Sequence, residues 1–387
     1  MMQHRQESIP RHGTAQEIVQ AVIQYAVFSK SSDINIEPLD DSVRIRMRRD
    51  GVLATAAVIA KEKLDTLTAR IKIMAKLDIA NKRLPQDGHF VWQEGDRRVD
   101  MRVSTMPTIR GEKTVIRLLD TGGISLELDA LGMEPPVVAA LRRLTHCSKG
   151  LFIYSGPTGS GKSTTMYAAL RELQRDEISI ATLEDPVEYK INGFCQSQIQ
   201  LKQGLAFQNG LRALLRQDPD VLVIGEIRDA ETARIAVRAA LTGHVVFSTI
   251  HASRAVDVPI RLMDMGIEPY LIADALLGMS SQRLARRLCP SCSREADDQV
   301  DRTVRQHQGC PSCFQSGYAG RFSLCEIIPV GFHVKQAVRH GCQEEDMEQA
   351  ACADGAILME EVIAAALQNG MTDTDEIHRI YDIGALR

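Results

Sequence analysis

Between Ala15 and Phe28 the apolar residues Ile18, Val19, Val22, Ile23 and Ala26 recur three and four apart, which predicts a helix with one buried face. The period then shortens. Ser42–Met47, Val52–Ile59, His89–Trp92, Arg98–Ser104 and Thr114–Leu119 read as short strands, punctuated by Arg49-Asp50-Gly51, Gln86-Asp87-Gly88 and Arg110-Gly111. A helix over Lys61–Leu77 interrupts them. With a polar tail at the start, this pattern predicts an N-terminal α+β domain over residues 1–120 and a linker over 121–127 that contains Thr121-Gly122-Gly123.

Beyond the linker the strands become continuous apolar or β-branched runs: Leu151–Ser155, Ile178–Leu183, Val221–Ile224 and Val245–Ile250. Helices over Ser163–Gln174, Leu205–Arg216 and Ala230–Leu241 alternate with them. Such runs fit a mainly parallel sheet buried on both faces, so residues 128–281 are expected to form an α/β core. After His251 the chain reads as mostly helical. A Gly- and Cys-rich segment over 282–327 interrupts it, and a helical region over 328–387 ends it.

Composition narrows the class. The 387 residues are 44% hydrophobic and 25% charged, with a formal charge of -4, as in an ordinary soluble protein of two or three domains. A near-neutral balance argues against a nucleic-acid coat, though not against a local basic channel. No run approaches the ~18 apolar residues of a membrane span. The polar opening Met1–Ser8 has no apolar core of a secretory signal, so a cytoplasmic location is expected.

The strand ending at Ser155 runs into Gly156-Pro157-Thr158-Gly159-Ser160-Gly161-Lys162-Ser163, and a helix through Thr164 follows. This is GxxxxGK[ST] in its required strand–loop–helix context. Its glycines let backbone N–H groups turn inward around an anion at a helix N-terminus. Lys162 is placed to reach terminal phosphates, and Ser163 to ligate Mg²⁺ beside ATP. Hydrolysis also needs carboxylates. Glu226 ends the strand Val221–Ile224 one residue after its Gly225, and Glu184, Asp185 and Glu188 cluster at the end of another strand. Carboxyl ends of neighbouring parallel strands converge on one crevice. A solvated acidic turn is the alternative for Glu184–Glu188, and a structural role is the alternative for His251 at the end of the fourth strand.

Cys289-Pro-Ser-Cys292 and Cys310-Pro-Ser-Cys313 are 17 residues apart, a spacing that suits a structural Zn²⁺ held by four thiolates. Paired redox motifs are the alternative. Cys147, Cys195, Cys325, Cys342 and Cys352 fall outside the pattern.

Together these residues resemble the secretion ATPases of type II secretion and type IV pilus assembly. The resemblance runs from about Ala15 onward. It rests on Ser32–Pro38, Arg70–Ala75, Pro85–Gly88 and Arg102–Pro107 in the first domain, and on the "Asp box" Leu183–Tyr189. The Walker B segment Leu211–Asp229 and the "His box" with Thr242–His244 and Ser248–His251 complete it. The resemblance implies a PAS-like N-terminal domain, a RecA-like P-loop ATPase domain and a tetracysteine zinc subdomain. It also implies a homo-hexameric ring with nucleotide sites between the two domains. By it, Glu226 is the Walker B acid, Glu184 and then Glu188 polarise the attacking water, and His251 senses the nucleotide. Arg102 and Arg117, with Arg212 and Arg216, contact its phosphates. The implied partner is an inner-membrane platform protein, reached by peripheral association only, with no nucleic acid expected.

Three departures stand out. Asn35 replaces a usual His, Ala252-Ser253 replace a usual Thr-Asn, and only about fourteen residues precede the first match, so docking through an extra N-terminal domain is expected to be missing or supplied otherwise. A nucleic-acid-translocating ring, a catalytically idle scaffold and a retraction motor are the competing readings. The tetracysteine segment counts against the last.

Overall fold

The computed structural model describes residues 9–95, 97–119, 126–295, 305–341 and 344–381. Residues 121–125 of the expected linker, residues 296–304 of the Cys-rich segment and Cys342 lie outside them. The chain divides into two compact units, Met1–Ile124 and Ser125–Arg387.

In the first unit, helix α1 (Ala15–Phe28) opens on a reciprocal cap: the Glu17 N–H donates to Thr14 Oγ1, and the Thr14 N–H donates to Glu17 Oε2. Strands β1 (Asp33–Pro38), β2 (Ser42–Arg49) and β3 (Val52–Ala60) follow, then helix α2 (Leu64–Met74) and strands β4 (Gln86–Glu94), β5 (Arg97–Thr108) and β6 (Gly111–Leu119). All pair antiparallel in the order β3-β2-β1-β6-β5-β4. Alternation places Val43, Ile45 and Met47 of β2 and Val99, Met101 and Val103 of β5 in one core with Ile18, Val22 and Ile23 of α1. The intervening polar residues form the other face.

Strand β1 is absent from the elements predicted above. Its alternating Asp33, Asn35 and Glu37 resemble an exposed turn, yet all three are buried because β1 lies between β2 and β6. Basic neighbours compensate the acids. Glu37 accepts from Arg44, Arg46 and Lys113, and Asp33 accepts from Arg117 at 3.0 Å. Helix α2 is shorter than predicted, since Lys61–Lys63 form a separate 3₁₀ turn before it.

The second unit contains α3 (Pro135–Thr145), β7 (Gly150–Ser155), α4 (Lys162–Leu173), β8 (Ile180–Glu184), β9 (Cys195–Gln198) and α5 (Phe207–Leu214). Then come β10 (Val221–Ile224), α6 (Ala230–Leu241), β11 (Val245–Ile250), α7 (Asp257–Asp264), α8 (Pro269–Ala275) and β12 (Leu276–Leu288). Two-residue strands β13 (Arg294–Glu295) and β14 (Arg305–Gln306) precede β15 (Tyr318–Pro329). Helices α9 (Phe332–Arg339), α10 (Glu344–Ala353), α11 (Met359–Gln368) and α12 (Thr374–Ile380) follow. The main sheet has the order β15-β12-β7-β11-β10-β8-β9. Its strands from β12 to β9 run parallel and β15 antiparallel. A hydrophobic core covers each face.

The largest difference from the sequence expectation concerns residues 276–329. Two long strands, β12 and β15, extend the central sheet, so a boundary at 281/282 falls inside β12. The Cys-rich part is the excursion between them. Gly278, Ser280, Ser281 and Gln282 interrupt the apolar pattern of β12, so the sequence pattern does not show the strand. The three polar residues among them are nonetheless buried. Hydrogen bonds compensate part of that burial: Ser155 Oγ donates to the Ser280 backbone carbonyl and Ser281 Oγ donates to Ser253 O, while Ser280 Oγ has no partner among the described residues.

Candidate nucleotide site and metal centre

The loop after β7 needs unusual backbone angles, which its glycines supply. Gly156, Gly159 and Gly161 have φ of 136°, 77° and 89°. A Cβ on Gly156 would come within 2.6 Å of the Gln282 carbonyl oxygen, and one on Gly161 within 2.7 Å of Gln282 Nε2. Strand β12 therefore backs the loop closely, and Gln282 Nε2 donates to Ser160 O at 2.9 Å. Around Gly159 a Cβ would meet nothing within 4 Å, so that side is open. Pro157, Thr158 and Gly159 are exposed and Ser160 is buried.

Helix α4 begins at this loop with Gly161 as its cap and no capping side chain, which leaves its first N–H groups for an anion. Lys162 Nζ, half-buried, donates to Gly156 O at 2.7 Å and Pro157 O at 3.0 Å. Burial holds this ammonium below the usual Lys range, against the pull of Glu226, while the charge of Arg283 pushes the same way as burial. Ser163 occupies the second position of α4 and is half-buried. The Thr164 hydroxyl lies 2.9 Å from the Tyr189 hydroxyl. At the loop and the elements against it, Ser160 Oγ, Thr165 Oγ1 and Gln282 Oε1 are among the buried polar atoms that have no partner among the described residues. An open loop, uncapped amides and an ammonium that bonds to loop carbonyls suit a phosphate chain with its Mg²⁺.

Parallel pairing sets the rest of the site beside the loop. Strand β11 separates β7 from β10, and β8 follows β10, so the loop, His251, Glu226 and Glu184 succeed one another along one sheet edge. His251 Nε2 lies 3.0 Å from Glu226 Oε1, and Arg228 donates to Glu226 Oε2 at 2.8 and 2.9 Å. Arg228 is absent from the residues expected above; its i, i+2 spacing after Glu226 is the sequence signal that points to it. A Cβ on Gly225 would lie 3.2 Å from Glu184 Cα, so the ends of β10 and β8 are in contact.

The two candidate water-polarising acids differ in setting. Glu184 is buried, accepts from Thr182 Oγ1 at 2.6 Å and Gln196 Nε2 at 3.4 Å, and is hydrogen-bonded by Tyr167. Glu188 is exposed and acts electrostatically on Lys162. Arg212 pairs with Glu231 at 2.8 Å, and Arg216 donates to Arg212 O, so their polar contacts lie on α5, α6 and the turn after α5 rather than on the loop. In the first unit, Arg102 and Arg117 are directly opposed across β5 and β6 and share one exposed face.

The four cysteines converge. Sγ separations are 3.9 Å for Cys289–Cys310, 3.8 Å for Cys292–Cys313 and 3.6 Å for Cys310–Cys313. A tetrahedral Zn²⁺ with sulfur at ~2.3 Å requires an edge of about 3.8 Å, so the donor set fits zinc with no open position. The Gly309 N–H points at Cys292 Sγ, and the Cys310 and Gly317 N–H groups point at Cys313 Sγ. Burial opposes ionisation of Cys313, but those amides prevail and hold its thiol below the usual range, whereas burial raises Cys292. Contacts to the segment before and within α12 anchor the excursion: His307 and Tyr318 both bond Asp373, and Arg286 bonds Glu376.

A glycine-cradled anion loop at the head of a RecA-like sheet, with acids on the adjoining strand ends, defines a P-loop nucleotide-binding protein. The chain belongs to the type II/IV secretion system protein family, whose model matches residues 10–379. It is 45% identical over 363 residues to the type II secretion system protein HxcR of Pseudomonas aeruginosa, covering 94% of this chain and 76% of that one. To the type II secretion system ATPase E of Vibrio cholerae it is 42% identical over 376 residues, covering 94% and 75%. In fold it is similar to the Legionella pneumophila ATPase DotB, with TM-score 0.72, 20% identity and 98% of each chain covered. It is also similar to the pilus retraction motor PilT, with TM-score 0.62, 23% identity and coverage of 93% and 96%. No helix among the described residues is long and apolar enough to cross a membrane.

Proposed function

We propose that this chain hydrolyses Mg²⁺-bound ATP to drive type II secretion or assembly of a pilus-like fibre. It works as a homo-hexamer at the inner face of the bacterial inner membrane, against a platform protein of that membrane. The observation that carries the reading is Lys162. Among the described residues its ammonium bonds only to carbonyls of its own loop, at a helix start with spare amides, on the sheet edge that ends in Glu226 and His251.

In this reading the loop amides from Gly159 to Thr164 and the Lys162 ammonium hold the phosphates, and Ser163 and Glu226 hold Mg²⁺. The metal neutralises charge on the phosphates. Glu184 orients water, because its fixed hydrogen bonds preorganise it, and Glu188 is the second candidate. His251 reports on the nucleotide through Glu226. Arg102 and Arg117 act as arginine fingers, and Arg212 and Arg216 exchange their present partners for phosphate when the ring closes. The tetracysteine Zn²⁺ is structural.

The test is Lys162→Ala. ATP binding and phosphate release should both collapse while the ligand-free melting temperature is kept, because the side chain lies at the open loop. Normal turnover in that variant overturns the reading.

A further inference from the structure

Arg283, on β12 immediately after the loop-bracing Gln282, takes no part in the site as drawn so far. Its guanidinium lies against the phosphate loop: Nη1 would be 3.4 Å from a Cβ on Gly156, the residue whose carbonyl receives Lys162 Nζ. The Arg283 contacts are all neutral. Nη1 donates to Gln282 O at 3.0 Å and reaches Ser281 Oγ at 3.4 Å, and Nη2 donates to Ser253 O at 2.8 Å. No carboxylate bonds it among the described residues. Glu326 is the acid that acts on it electrostatically, but that carboxyl is buried and accepts the Ala255 N–H instead.

Two half-buried cations thus both approach Gly156, each bonded to carbonyls and neither paired with an acid among the described residues. Burial weakens the protonated form of Arg283, and its charge in turn weakens that of Lys162. Holding like charges together away from water is costly unless an anion lies between them. A purely structural arginine would be expected to gain a fixed carboxylate at this depth, as Arg286 does with Glu376 three residues on. The carbonyl contacts instead fix the guanidinium plane and leave its charge uncompensated.

We propose that Arg283 is a further phosphate-contacting residue, supplied by the same chain as Lys162 and acting with it on the terminal phosphates of the nucleotide. This rests on the nucleotide-binding reading above. A guanidinium there donates in a fixed fork, which a lysine reproduces only as a point charge.

The experiment is Mg-ATP titration calorimetry on the full chain, comparing wild type, Arg283→Gln and Arg283→Lys, with melting of each ligand-free protein alongside. Arg283→Gln should weaken Mg-ATP binding about tenfold or more, the scale of one lost charge-assisted hydrogen bond, at an unchanged ligand-free melting temperature. Arg283→Lys should recover much of the loss. Wild-type affinity in Arg283→Gln overturns the inference alone. So does a loss that both variants share and that tracks a fall in melting temperature, because the side chain is then only a brace. A wild-type chain that binds no Mg-ATP overturns the nucleotide reading itself.

Discussion

His251 Nε2 and Glu226 Oε1 meet at 3.0 Å across the ends of two adjacent parallel strands, and Arg228 holds the other oxygen of the same carboxylate. Glu226 is thus oriented from both sides at the sheet edge where the phosphate loop begins. Glu226→Gln should keep ATP binding but lower phosphate release by at least ~10²-fold, the usual cost of one preorganised electrostatic group. Phosphate release at the wild-type rate would remove Glu226 from the chemistry.

Arg117 is exposed, yet tied at 3.0 Å to the buried Asp33 and opposed to Arg102 on the neighbouring strand. In an arginine-finger role its contact strengthens as charge builds on the phosphoryl group. Arg117→Ala should therefore lower the turnover number more than it weakens ATP binding. An unchanged turnover number excludes it.

For the tetracysteine cluster the measurement is metal content. Wild type should carry one zinc per chain, and Cys289→Ser should lose it, with a lower melting temperature for the second unit. The Asp373 and Glu376 contacts should transmit that loss to α12, seen as faster amide exchange there. Full zinc retention in Cys289→Ser contradicts a four-thiolate site.

Lys72 and Glu112 form a buried ion pair of 2.6 Å in the first unit, and Lys72 also donates to Asn81 O. Lys72→Met leaves the carboxylate buried alone and should cost ~3–5 kcal/mol of that unit's stability. The double variant Lys72→Met/Glu112→Leu should recover much of it. Denaturant melts that show no penalty for the single change contradict the pairing.

Glu326 provides a pH test. Burial raises its carboxyl to about 7, opposed by the Ala255 N–H and by Arg254. A raised folded value means the native state keeps a proton that the unfolded chain has lost. The contribution of Glu326 is therefore fully present below its unfolded value near 4.5 and declines as pH rises to about 7. Relative to wild type, Glu326→Gln should gain up to ~3 kcal/mol across that window and no more above it. A constant difference from pH 4 to 8 refutes the shift.

The legible parts of this molecule share a physical property: their chemistry is local. The loop Gly156–Ser163 declares itself because backbone geometry demands glycines at fixed places. The two Cys-x-x-Cys pairs do so because bringing four sulfurs to one point constrains their spacing, and β7, β10 and β11 because strands buried on both faces must be apolar. What escaped was decided at long range. Strand β1 carries acids that become tolerable only when Arg44, Arg46, Lys113 and Arg117 arrive from other strands. Strand β12 carries Ser280, Ser281 and Gln282 into the core, where segments remote in sequence supply part of their hydrogen bonding. The sequence by itself determined which groups could hold a phosphate or a zinc ion. Only the tertiary structure decided that His251 meets Glu226 and that Gln282 and Arg283 stand behind the loop, since strand order brings those residues together and no spacing along the chain encodes it.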